Sequence, residues 1–232
     1  MRKKFYKNYD EYYYTKRPLH SKGHMIRYVK TALSKKDIKW LDIGCGCGHL
    51  VKDALDEKID SYGIEISDYA LKNALAEVKD RIKHGSLIDI PFDNETFDVI
   101  SIFDIIEHIH PKDTEKAFEE LNRVLKRGGV LILTTPNSGF VGDWIYDLTH
   151  INVRPPKYWK MMLENYRFKI KLNYIPSFLK YYFNKKILSL IPDKIAFFME
   201  EPFRYLLGKI FSRKGRLYIF AKKMNNYKEL KK

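Results

Sequence analysis

Leu41-Asp42-Ile43-Gly44-Cys45-Gly46-Cys47-Gly48-His49-Leu50 sets three glycines at alternate positions directly after an apolar run. Nothing else in the chain narrows its fold so far. Ile38 to Ile43 reads as a buried strand, the glycines let the backbone turn tightly beneath a ligand, and a helix starts at His49. Seventeen residues after Gly48, Glu65 stands at the end of a second apolar strand, Ser61 to Ile66. A glycine turn after one strand and an acid after the next is the layout of a nucleoside-binding α/β domain. In that layout the glycine loop fits around ribose and tail, and Glu65 accepts hydrogen bonds from the ribose hydroxyls.

Asp42 narrows the choice of nucleoside. A dinucleotide fingerprint, G-x-G-x-x-G, offers backbone N–H groups and a helix dipole to an anionic pyrophosphate. Here the spacing is G-x-G-x-G, with a carboxylate two residues before the first glycine. An acid there is a poor neighbour for pyrophosphate and a good one for an ammonium or sulfonium group. S-adenosylmethionine carries both cations and no phosphate, so the local chemistry favours it over NAD.

Four further segments extend the pattern: Tyr62–Ser67, Gly85–Phe92, Phe97–Ile100 and Leu125–Ile132. With Leu41–Gly48 they resemble the class I S-adenosylmethionine-dependent methyltransferases over roughly Ile38 to Asn137, most of all the branch that includes the ubiquinone-biosynthesis O-methyltransferases. The resemblance implies a Rossmann-like, doubly wound, seven-stranded sheet, mainly parallel with a reversed last strand. It also implies site roles. Asp42, Gly44 and Gly46 shape the methionine side of the donor, Glu65 holds the ribose, Ile66 and Leu87 pack on the adenine, and Phe103 lines the methionine end. Family members commonly hold an acid for the adenine amino group at the position of Ser86, a candidate cofactor-binding residue here; the departure weakens that contact or moves it to Asp89 or the backbone.

The remaining elements follow from patterning. Ser67 caps a helix with apolar positions from Tyr69 to Val78, and a third strand lies near Arg81–His84. Phe97–Phe103 is a fourth strand. Lys112–Leu125 is helical, Lys126–Gly129 ends that helix, and Val130–Thr135 is a fifth strand stopped by Pro136. The sixth strand falls near Phe168–Tyr174 and the last at Arg216–Lys222. These alternating elements imply a mainly parallel sheet with helices on both faces. The expected organisation is an N-terminal helical or lid segment (1–37) with a helix over Ser21–Leu33, a cofactor-binding core (38–175), an amphipathic helical insertion (176–214), and a final strand with basic tail (215–232). In the resembled family the segment before the core often covers the cofactor, so Tyr12 to Arg17 is a candidate wall.

The chain has a formal net charge of +14, and the excess is uneven. Residues 1–150 hold 23 Lys+Arg against 24 Asp+Glu, and residues 151–232 hold 20 against 5. Such asymmetry suits an anionic partner, a lipid surface or a nucleic acid, or else a solvated basic face. In the insertion, Phe178, Leu179, Tyr182, Phe183, Ile187, Leu190 and Ile191 keep helical spacing beside Lys180, Lys185 and Lys186. That face either caps the acceptor pocket or rests on anionic membrane. Cys45 and Cys47, one residue apart, are poorly spaced for a disulfide or zinc site and read as small residues in a turn. Met1–Asp10 shows no apolar signal region, and no run reaches transmembrane length, so a cytoplasmic, at most peripherally membrane-attached, protein is expected.

Methyl transfer needs donor and acceptor aligned and the acceptor's proton removed. The candidates lie after the fourth strand, in Asp104-Ile105-Ile106-Glu107-His108, with His150 following the fifth strand. On a helical turn Asp104, Glu107 and His108 would share one face. His108 and His150 are the candidate general bases, because an unperturbed imidazole titrates near pH ~6.5. The acid-x-x-acid-His set with a later His also resembles the metal site of the ubiquinone O-methyltransferases and the small-RNA 2′-O-methyltransferases, which implies a divalent metal as a further cofactor. The expected reaction is methylation, on oxygen, of a small hydrophobic or lipid-like acceptor. An RNA methyltransferase using the basic C-terminal part and a non-catalytic donor-binding, membrane-associated module are the alternatives.

Overall fold

A computed structural model describes residues 26, 29–30, 33, 35–139, 143–172 and 216–226. The expected lid residues Tyr12 to Arg17, most of the Ser21–Leu33 helix and the 176–214 insertion lie outside the described residues.

Seven strands form one sheet in the order β3-β2-β1-β4-β5-β7-β6. They are β1 (Lys39–Ile43), β2 (Asp60–Glu65), β3 (Ile82–His84), β4 (Phe97–Phe103), β5 (Leu125–Pro136), β6 (Phe168–Leu172) and β7 (Arg216–Lys223). The pairings among β1 to β5 are parallel, whereas β7 runs antiparallel to both β5 and β6. This is the Rossmann-like methyltransferase sheet that the resemblance implied. Strand order reverses between β1 and β4, and open α/β sheets hold ligands outside the carboxyl ends of strands at such a point.

Two apolar layers sandwich the sheet. On one face, Ala117, Phe118, Leu121 and Val124 of helix α3 (Thr114–Val124) and Trp159, Met162 and Leu163 of α4 (Pro156–Asn165) pack with Leu41, Ile100, Ile102 and Leu131. On the other face, Leu50 and Ala54 of α1 (His49–Asp56) pack with Ile26, Val29, Trp40, Val99 and Ile132. The 3.6-residue stripes on α3 and α4 and the alternation along β4 thus each find a partner layer.

Two local expectations are corrected. Lys126–Gly129 does not separate helix from strand: α3 ends at Val124, and the strand already begins at Leu125. Phe97 pairs with Leu125 and Val99 with Val130, so residues 126–129 bulge out of register, with Gly128 at φ 75. The helix capped by Ser67 is also shorter than its apolar pattern. Ser67 Oγ accepts the Ala70 N–H, but α2 (Asp68–Lys72) stops at Asn73 and a 3₁₀ segment, Ala76–Arg81, follows. The break lets the Leu75 N–H bond to the Cys47 carbonyl at 3.0 Å, tying this segment to the glycine loop.

Candidate active site

The glycine loop is built by close approach. Gly44 has φ 72, and a Cβ there would lie 2.3 Å from Ile105 Cδ1, so only glycine fits. The Gly44 and Cys45 N–H groups donate to the Ile64 carbonyl at 2.8 and 3.1 Å, which sets the loop against the end of β2. There the buried Glu65 carboxylate receives three backbone protons: Gly46 N–H on Oε2 at 2.9 Å, and Ile66 and Ser67 N–H on Oε1 at 2.8 and 2.9 Å. A carboxylate offers about four lone-pair directions, so capacity for one more donor remains.

Asp42 is equally held. Ser101 Oγ donates to Asp42 Oδ1 at 2.6 Å, and the Trp40 indole N–H donates to Ser101 Oγ at 2.8 Å. Charge-assisted bonds of this kind fix a carboxylate's orientation. Sequence reasoning did not single out Trp40 and Ser101 as support for Asp42; the signal was there, since Ser101 is a lone hydroxyl in an apolar strand. Ile66 and Phe103 are half-buried, and Leu87 is buried in the first apolar layer. Ser86 closes a tight turn with Asp89 through paired backbone bonds of 3.2 and 3.0 Å.

Beyond β4 the chain turns sharply. Asp104, with φ 56, does not join a helical face with Glu107 and His108, because only Ile106–His108 forms a 3₁₀ turn. Its carboxylate instead accepts the Thr134 hydroxyl at 2.9 Å and pairs with Arg216 at 3.2 Å. Glu107, His108 and His150 do converge, each offering a ligand atom within 4.8 Å of the others. The two imidazole rings meet edge to face at 4.7 Å.

Glu107 is buried, and neither carboxyl oxygen completes a hydrogen bond among the described residues; the nearby Thr135 hydroxyl does not close one either. Burial first, and the Asp104 charge second, push its pKa up to about 8. Burial thus favours its protonated form. Its backbone carbonyl accepts the Asn152 N–H at 2.9 Å, and Asn152 Nδ2 donates to Thr114 Oγ1 at 3.0 Å. Asn152 thus pins the 3₁₀ turn to the segment that carries His150 and to the start of α3.

Asp147-Leu148-Thr149-His150 is a compact turn. Asp147 Oδ1 accepts both the N–H and the hydroxyl of Thr149, at 3.0 and 2.5 Å, and the His150 N–H donates to the Asp147 carbonyl at 3.0 Å. His108 Nδ1 faces Thr149 Oγ1 at 2.9 Å and the Thr149 carbonyl at 3.2 Å. Burial opposes the Asp147 charge, but the Thr149 bonds and the two imidazoles outweigh it and hold the carboxyl below its usual range. On the same segment Ile145, Tyr146 and Leu148 are exposed, Leu148 at 91%. The segment that carries His150 thus also carries exposed apolar side chains. Among the described residues no helix is long and apolar enough to cross a membrane.

Residues 41–133, which span β1 through most of β5, match the family described as a methyltransferase domain. An uncharacterised protein of Methanocaldococcus jannaschii is 28% identical over 195 residues, covering 82% of this chain and 80% of that one. A ubiquinone biosynthesis O-methyltransferase of Pelagibacter ubique is 30% identical over 137 residues, covering 52% of this chain and 56% of that one. Among solved structures, an S-adenosylmethionine-dependent methyltransferase from Archaeoglobus fulgidus shares the fold with a TM-score of 0.62 at 18% identity, covering 92% of this chain and all of that one. The matched residues are those that carry the glycine loop, the acid of β2 and the switch point of the sheet, and residues 41–133 are a methyltransferase domain that takes S-adenosylmethionine as its methyl donor.

Proposed function

We propose that the acceptor is a small hydrophobic molecule with a hydroxyl group and that the methyl is transferred to its oxygen. The observation that carries this reading is the meeting of His108, on the turn after β4, with His150, on a segment whose Ile145, Tyr146 and Leu148 are exposed. Asp42, Gly44 and Gly46 hold the methionine end of the donor, with Phe103 beside it. Glu65 uses its remaining acceptor capacity on a ribose hydroxyl, and Ile66, Ser86 and Leu87 surround the adenine. His108 takes the acceptor's proton as the oxygen attacks, a contribution of typically ~10²–10⁴-fold. His150 holds the acceptor oxygen.

The residues present also fit a divalent cation. Two imidazoles and one carboxylate suit a borderline transition metal, and a buried acid without hydrogen bonds is a group that a cation would satisfy. Such an ion, bound by Glu107, His108 and His150, would lower the pKa of an acceptor hydroxyl and would take the place of His108 as base. Thermal melting with added Mn²⁺, Co²⁺ or Zn²⁺ tests it: stabilisation of the wild type but not of Glu107→Gln supports the ion, and no shift in either removes it from the reading.

Methyl-labelled S-adenosylmethionine incubated with the full chain and a fractionated cell extract tests the acceptor. Label in an organic-phase product that survives mild alkali, as an ether does and an ester does not, is expected. Label in RNA would overturn the choice of acceptor and point to the basic C-terminal part. Donor binding with no labelled product in any fraction would count for the non-catalytic alternative.

A further inference from the structure

We propose that Asp147 and Thr149 are positioning residues that lock His108 into the tautomer protonated on Nδ1, so that Nε2 presents its lone pair to the reacting hydroxyl. The inference rests on the reading of His108 as the proton acceptor and adds how that ring is prepared.

A neutral imidazole carries one N–H and one acceptor nitrogen, and the hydrogen bond at one nitrogen fixes the role of the other. His108 Nδ1 has two oxygens of Thr149 in reach, the hydroxyl at 2.9 Å and the carbonyl at 3.2 Å. The carbonyl can only accept. The hydroxyl has a single proton, and that proton is given to Asp147 Oδ1 at 2.5 Å. The hydroxyl therefore also faces Nδ1 as an acceptor. Both oxygens require Nδ1 to be the donor, which leaves the lone pair on Nε2.

Asp147 can hold this arrangement because the turn fixes its carboxylate in place. Its Oδ1 is fixed by the Thr149 N–H as well as the hydroxyl, within a turn closed by the His150 N–H. Its Oδ2 lies 3.6 Å from His150 Nε2, too far for a hydrogen bond but close enough for its charge to be felt. Other groups facing the cluster are the buried Glu107 and the Asp104–Arg216 ion pair.

An oxygen lone pair of the acceptor forms the new C–O bond, and the methyl–sulfur bond breaks with its electron pair passing to sulfur, which leaves as the thioether of S-adenosylhomocysteine. The O–H pair stays on oxygen, and the proton moves to His108 Nε2. The imidazolium so formed keeps its Nδ1–H on Thr149, with the Asp147 carboxylate one hydrogen bond further on. A hydroxyl thus relays the stabilising charge from carboxylate to ring.

The test is ¹⁵N NMR on the full chain labelled at histidine, with His108→Ala assigning the His108 signals among the seven histidines. The wild type is expected to show the proton on Nδ1. Asp147→Asn keeps an oxygen acceptor for Thr149 and retains that tautomer. Asp147→Ala frees the Thr149 proton to turn toward Nδ1, so the form protonated on Nε2 becomes populated, and methyl transfer drops ~10–100-fold with donor affinity unchanged within about twofold. A wild-type ring protonated on Nε2, or an Asp147→Ala ring identical to wild type, overturns the inference. Full methyl transfer by His108→Ala instead overturns the reading on which it rests, whatever the tautomer.

Discussion

Glu65 Oε2 accepts the Gly46 amide proton at 2.9 Å, across the gap between the end of β2 and the loop after β1. The residue assigned to the ribose is therefore also a clasp on the glycine loop. Its other oxygen takes the Ile66 and Ser67 amides, so one carboxylate fixes both walls of the donor cleft. Glu65→Ala should consequently cost more than one ribose contact. Hydrogen bonds to a charged group contribute about 1.5–3 kcal/mol each, and losing one such increment corresponds to a ~10–150-fold fall in S-adenosylmethionine affinity. Isothermal titration reads it. Glu65→Gln should fall between, because one oxygen becomes an NH₂ group facing backbone N–H. Wild-type affinity in Glu65→Ala would remove both roles.

Behind Asp42, the Trp40–Ser101–Asp42 chain predicts a stability effect without any donor present. Ser101→Ala leaves the buried indole N–H and the carboxylate each short of a partner. A buried group so stranded costs about 1–3 kcal/mol. Urea denaturation should show that loss, with donor affinity reduced as Asp42 gains freedom to turn. An unchanged midpoint would mean the chain contributes nothing to stability.

Much of this was legible in the sequence because the relevant signals are local. An apolar run broken only by Asp98 and Ser101 marked β4 to the residue, and the glycines with Glu65 marked a loop and a strand end that meet in the fold. What escaped notice depended on partners distant in the chain. Lys126–Gly129 looks like a helix stop, yet pairing of Leu125 with Phe97 draws the strand back to the helix end. The Ser67 helix looks long by its apolar spacing, but the Cys47 carbonyl competes for the Leu75 N–H and breaks it. Asp104 matched a ligand pattern, and Arg216, more than a hundred residues on, takes it away. Asp147 and Thr149 stood beside His150 in plain sight; only the fold brings Thr149 to His108 Nδ1.

Close packing beneath the loop gives a third prediction. A Cβ at Gly63 would fall 2.5 Å from Cys45 Sγ and 2.9 Å from its Cβ. Gly63→Ala should destabilise by about 1–3 kcal/mol, the usual range for overpacking. Cys45→Ala removes the sulfur but not the Cβ, so the double variant should recover part of the loss. A double-mutant cycle in urea checks this, with coupling of about 0.5 kcal/mol or more expected. Strict additivity would mean that the sulfur is not what Gly63 accommodates.

Asp98 supplies the pH dependence. Its carboxylate accepts Lys35 Nζ at 2.6 Å, the Lys39 N–H at 3.0 Å and Lys126 Nζ at 3.1 Å, gathering the approach to β1, β1 itself and the β5 bulge at one point. Burial alone would raise its pKa, but the two ammonium groups and the amide outweigh burial and lower it. A depressed folded-state pKa means the folded protein binds the proton less tightly than the unfolded chain. The contribution is then complete above the unfolded value of ~3.9 and is lost as pH falls through the folded value. Asp98→Asn should therefore be less stable than wild type at pH 7, by about 1–3 kcal/mol for a charged hydrogen-bonded group at a partly exposed site. The two proteins should converge in the acid limb below pH ~4, as the wild-type carboxylate takes up its proton. Denaturant midpoints measured from pH 7 downward test the pair, and a gap that stays constant with pH would mean shape, not charge, is what Asp98 contributes.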